Sequence, residues 1–83
     1  MEYRDIRMVR VPQAIVLLGE KKSSFYAKVI AGLMPRPIKI GAKAAALPDY
    51  EIRAVNTARI RGVSDEELRA LVADLHEARK TAS

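Results

Sequence analysis

Between Gly19 and Ala44 the chain carries six lysines or arginines and one acidic residue, Glu20. Lys21, Lys22, Ser23 and Ser24 stand together near its start, Tyr26 and Lys28 follow, and Arg36, Lys39 and Lys43 recur toward its end. Side chains of these types bind anions. Ammonium and guanidinium groups meet phosphate or carboxylate oxygens, and Ser and Tyr hydroxyls donate to the same acceptors. The excess is local: its surplus of five equals the net charge of +5 carried by all 83 residues.

Other chemistries lack their residues. There is no cysteine, and the one histidine, His76, cannot build a metal cluster alone. No nucleophile lies beside His76 in sequence, and no Gly-rich phosphate loop is present. Glu66 and Glu67 are adjacent, but in the first turn of a helix, where the dipole accounts for them. The expectation is a protein that is not an enzyme and needs no cofactor or metal. No apolar run has the length of a membrane span, and the start lacks a signal peptide's apolar core. A cytoplasmic location with no membrane partner is expected, and the lack of cysteine fits it.

The basic residues need elements to hold them. "MEYRDIRMVRVP" alternates apolar and charged residues and reads as extended with a ragged start. Pro12 suits a first helical position and biases Val11 away from the helix, so "PQAIVLLG" reads as two helical turns ended by Gly19, with Ile15 and Leu18 inward. "SSFYAKVIAG" is a second helix closed by Gly32. Its inward stripe is open between Phe25–Val29 and Tyr26–Val29–Ile30–Leu33. Two short helices, a Gly-containing tight turn and a basic start to the second describe a helix-turn-helix.

Pro35 and Pro37 break the helical path. "RPIKIGAKAAAL" then fits a hairpin, with Ile38 and Ile40 on one face, Lys39 on the other and the bend at Gly41. Pro48 opens a third helix, with Asp49 and Glu51 in its first turn and an apolar face of Ile52 and Val55 extended by Ile60. Ser64 and Glu67 spell a capping box for a fourth helix reaching about Arg79, with Leu68, Leu71, Val72 and Leu75 as its stripe and "KTAS" as a frayed tail. The fold expected is mainly α with a small hairpin: a winged helix-turn-helix over residues 1–62, plus a C-terminal amphipathic helix and tail over 63–83. That helix either folds back on the domain or joins neighbouring copies.

Residues 9 to 61 resemble the AlpA-type phage regulators, relatives of the excisionase or recombination directionality factor group with MerR-like winged helix-turn-helix folds. The resemblance rests on "VRVP", Gly19, "SSFY", "GLMPRPIKIGAKA" and "DYEIRAV". It implies major-groove contact by Lys22, Ser23 and Tyr26, and wing contact by Lys39 and Lys43. Leu47 and Val55 stand where the family has tryptophans, and Lys21 stands where it has a capping serine.

From these residues the expected function is sequence-dependent binding of double-stranded DNA, through Lys21, Lys22, Ser23, Ser24, Tyr26, Lys28, Arg36, Lys39 and Lys43. The resemblance implies that the chain acts as an excisionase that bends an attachment site for an integrase, with other copies of itself along the DNA. An AlpA-like transcriptional regulator of integrase or excision genes is the alternative. A basic protein-interaction module is a third reading.

Overall fold

The computed structural model describes residues 5–81; the ragged start and the end of the frayed tail fall on residues 1–4 and 82–83, outside the described residues. The elements run β1 (Met8–Arg10), α1 (Val11–Leu17), α2 (Lys22–Ile30), β2 (Ile38–Gly41), β3 (Ala44–Pro48), α3 (Asp49–Arg61) and α4 (Asp65–Ala78), followed by a 3-10 turn over Arg79–Thr81. The described chain is thus mostly helical, with four α-helices and one small antiparallel sheet.

Local chemistry places most of these boundaries. Val11 is already helical, one residue earlier than the Pro12 signal, because Pro12 is tolerated throughout the first turn. At the end of α1, Gly19 takes φ +68°, and Glu20 N–H reaches back to Ile15 C=O while Gly19 N–H bonds Val16 C=O. This pair of bonds is a Schellman closure. The same two-bond pattern ends α2, through Leu33 and Lys28, and α3, through Val63 and Ala58. The α4 capping box is formed in both directions: Glu67 N–H donates to Ser64 Oγ (3.1 Å) and Ser64 N–H to Glu67 Oε1 (3.2 Å).

The hairpin bends elsewhere than at Gly41. Its two-residue turn is Ala42–Lys43, and Gly41 does not take a positive φ. A shift of register between Lys39 and Gly41 leaves Ile40 half exposed rather than packed beside Ile38. Gly41→Ala should therefore leave the urea midpoint almost unmoved, since the new Cβ would meet only Ala44 Cβ at 3.6 Å. Gly19→Ala should cost about 1–2 kcal/mol, because an L-residue is strained at its φ. Equal midpoints for the two variants would refute this assignment of the turns.

The sheet holds a third strand that the hairpin pattern did not announce. β1 pairs antiparallel with β3, giving the order β1-β3-β2 and the register Met8↔Pro48, Val9↔Leu47, Arg10↔Ala46. Asp49 N–H donates to Arg7 C=O, so alternation makes Val9–Leu47 a hydrogen-bonded pair and Met8–Pro48 a non-bonded one. Pro48 consequently turns its donorless nitrogen toward the β2 side, where the Ile38↔Ala46 register would set Arg36 opposite it. The Arg36 backbone finds partners on the C-terminal helix instead. Its N–H donates to His76 Nε2 (3.0 Å) and its C=O accepts from Arg79 Nη2 (2.8 Å).

The core gathers Val11, Ala14 and Leu18 of α1, Phe25 of α2, Met34, Leu47 of β3, Ile52, Val55 and Ala58 of α3, and Leu68 and Leu75 of α4. Ile15 is only partly buried; Ala14 takes the inward position one residue earlier on the α1 wheel. The open wheel of α2 resolves to Phe25 and Val29, with Ile30 turned out to solvent. Leu47 and Val55 are fully buried. Ile60 is 85% exposed and does not extend the α3 face, which continues through Ala58 because three residues from Val55 keep the helical phase and five do not. Three of the four stripe residues of α4, Leu68, Val72 and Leu75, are buried inside the chain, and Leu71 is half-buried. The expected frayed tail is partly ordered, since Arg79–Thr81 form their turn and Thr81 Oγ1 donates to Ala78 C=O.

One acid lies wholly inside. Glu51, 0% exposed, accepts from Arg79 Nε at 2.8 Å on Oε2 and from Nη2 at 2.6 Å on Oε1. The Arg79 fork thus joins α3, the base of the hairpin and the end of α4 in one network. His76 stands beside it. Burial, followed by the charges of Arg79 and Arg36, lowers its pKa below the ordinary 6.5, with Glu51 opposing. Accepting the Arg36 N–H needs a neutral ring with its proton on Nδ1. The unfolded chain binds the second proton, which would occupy Nε2, more tightly, so the contribution is complete above about pH 6.5 and lost as pH falls through the folded value. The urea midpoint should drop between about pH 7.5 and about pH 5.5. In His76→Ala that drop should vanish, and an unchanged midpoint in the unmodified chain would rule the effect out.

Candidate nucleic-acid interface

The first turn of α2 is built around an acid that sequence reasoning placed only at the edge of the basic stretch. Lys21 is the N-cap residue and has no acceptor with which to cap. Ser24 compensates from the third helical position: its Oγ accepts Lys21 N–H (3.1 Å) and donates to Glu20 Oε1 (2.9 Å). Glu20, its side chain 5% exposed, also accepts from Lys28 Nζ at 2.7 Å and Arg59 Nη2 at 3.0 Å. Burial would raise its pKa, but hydrogen bonds from Lys28 and Ser24 and the charges of Lys28 and Arg59 outweigh it and hold the carboxyl below the usual range.

α3 fastens the same turn from the other side. Arg59 Nη1 donates to Leu18 C=O (2.7 Å) and Asn56 Nδ2 to Leu17 C=O (3.0 Å), satisfying carbonyls that the end of α1 leaves open. Arg69 of α4 does likewise for Ala31 C=O beyond α2, at 2.9 Å. The pose of α2 is therefore set by three side chains outside the helix pair. A spacing of four, Glu20–Ser24–Lys28, was the available sign of the inner triad. Arg59 and Asn56 carried no such sign.

The candidate residues divide by occupation. Lys28 and Ser24 are engaged by Glu20 and hold the turn together. Lys21, Lys22 and Ser23 are exposed on the opening turn of α2, and their side chains make no hydrogen bond or ion pair among the described residues. Tyr26, 38% exposed, packs its ring edge-on against Phe25 at 5.1 Å, and its hydroxyl makes no hydrogen bond within the described chain. On the hairpin, Lys39 lies opposite Ala45 and Lys43 sits in the turn, both exposed. Arg36, at the hairpin base, has its backbone held by His76 and Arg79 and its side chain exposed. Five cations are thus uncommitted on these two elements.

No family model, no curated protein and no solved structure matches the chain. No helix of the described residues is long and apolar enough to cross a membrane.

Proposed function

We propose that this chain binds double-stranded DNA in a sequence-dependent manner as a winged helix-turn-helix, with α2 in the major groove and the β2–β3 hairpin as the wing. One observation carries the reading. Lys21, Lys22, Arg36, Lys39 and Lys43 stand unpaired on α2 and the hairpin, while Lys28, Arg59, Arg69 and Arg79 are held by acids or carbonyls of the fold. A helix N-terminus adds partial positive charge and free N–H groups for phosphate. Lys22 and Ser23 would meet base edges, Tyr26 a phosphate or base, and Arg36, Lys39 and Lys43 the backbone beside the groove. Ser24 and Lys28 would orient this surface through Glu20 rather than touch DNA.

Within that reading we place the chain among excisionase-type factors that bend an attachment site in favour of an integrase, working in the cytoplasm on the DNA of an integrated element. The likeness to AlpA-type regulators supports this, as does the Pro-bounded basic hairpin. Control of integrase or excision genes would use the same surface. Of the α4 stripe, Leu68, Val72 and Leu75 are buried within the chain, so contacts between copies along DNA could draw only on Leu71 or on other surfaces.

Selection of duplexes from a random pool at physiological salt tests the proposal. Recovery of one motif repeated in a single orientation at fixed spacing supports excision, and one isolated site supports transcription control. No motif above background would overturn sequence-dependent binding. Lys22→Ala or Ser23→Ala should change the preferred base at one position, by about 1–3 kcal/mol for each lost contact. Lys39→Ala should weaken all sequences alike.

A further inference from the structure

α3 and α4 leave between them a groove of about 590 Å³ that none of the nine candidate DNA-binding residues lines. Its apolar lining is Tyr50, Ala54 and Ala58 of α3, Leu71 of α4 and Val63 between the two helices. Ala54 and Ala58 are short, which leaves room over them for a bulky side chain from outside. Arg53 and Arg61 stand on the rim, exposed, and their side chains make no hydrogen bond or ion pair among the described residues. Two uncommitted guanidinium groups over an apolar trough form an incomplete site. The volume suits a few side chains rather than a whole domain.

We propose that this groove docks an acidic amphipathic peptide segment of a partner protein. A large apolar side chain of that segment lies over Ala54 and Ala58 against Leu71, and its carboxylates pair with Arg53 and Arg61. Charge decides the class of partner. Asp65, Glu66 and Glu67 occupy the first turn of α4, and Glu67 lines the groove itself. A nucleic-acid backbone, with a charge about every 3.4 Å along each strand, would run against those acids. A peptide can keep its few carboxylates on the arginine side. Guanidinium–carboxylate pairing over a desolvated apolar contact gives both orientation and affinity. The surface is separate from α2 and the hairpin, so the proposal does not rest on the DNA reading.

The test uses the full chain as bait for a displayed library of random peptides, followed by titration of the enriched peptide, made synthetically, against the wild type and the double variant Arg53→Glu, Arg61→Glu. Both positions are exposed, and an unchanged thermal midpoint would establish that the variant is folded. Enriched peptides should combine acidic and bulky apolar residues, shift amide resonances of residues 50–71, and bind the variant at least about tenfold more weakly. A second variant, Leu71→Ala, should weaken binding while leaving the charge unchanged. The proposal is overturned if no peptide is enriched, if the enriched peptides lack acids, or if charge reversal leaves their affinity intact. It is equally overturned if the groove proves to be filled by a second copy, seen as self-association of the wild type that the double variant abolishes.

Discussion

Arg79→Ala is expected to destabilise this protein by about 3–5 kcal/mol, the range for removing one partner of a buried ion pair. Glu51 would be left fully buried with both carboxylate oxygens unmatched, and the Arg36 carbonyl would lose its donor. A chain of this length has a total stability on the order of 4–12 kcal/mol, so the loss takes a large share of it. Urea titration followed by far-UV circular dichroism would read the shift. The pair itself need not be a net stabiliser, because desolvating both groups offsets most of their attraction. Glu51→Leu combined with Arg79→Leu should therefore recover most of the loss. A midpoint for Arg79→Ala within experimental error of the wild type would show that the fork does not hold α3, the hairpin base and α4 together.

Removing Lys22, Lys39 and Lys43 together by alanine substitution should weaken DNA binding roughly a hundredfold at physiological salt. Five uncommitted cations, each neutralising one phosphate, give a log–log salt slope of about −4.5, and the triple variant should fall to about −2. Lys28→Ala is the informative control. Its ammonium is already paired with Glu20, so the slope should stay near the wild-type value while the protein becomes less stable. Fluorescence anisotropy over a range of salt concentrations measures both quantities. A triple variant with the wild-type slope would place the DNA contacts elsewhere. A Lys28→Ala slope reduced as much as that of Lys22→Ala would mean that Glu20 releases Lys28 on binding.

Most signals that span one turn agree with the structure, the bend expected at Gly41 being the exception. Ser64 and Glu67 cap α4 across three residues, and Gly19 closes α1 by a pattern that needs only its own φ and two backbone bonds. The proline pair at 35 and 37 keeps the segment after α2 out of a helix, because a missing N–H is a local fact. Ile60 misled for a similar reason: its side chain is apolar, but its phase on the helix points outward. Of the candidate interface, the residue types and their order were readable, while their availability was not. Nothing in the spacing from Glu20 to Arg59 announced that a side chain 39 residues away would share the carboxylate with Lys28.

Residue chemistry read along the chain was enough to place four helices, a hairpin and a run of basic residues, since propensity, capping and charge act over one or two turns. Folding in three dimensions made the remaining choices. It paired β1 with a strand some 38 residues later, turned Phe25 rather than Tyr26 inward, buried Glu51 against Arg79, and gave the Arg36 carbonyl the donor that Pro48 lacks. Each of these joins groups far apart in sequence. Their energies depend on burial and approach distance, which only the packed chain creates.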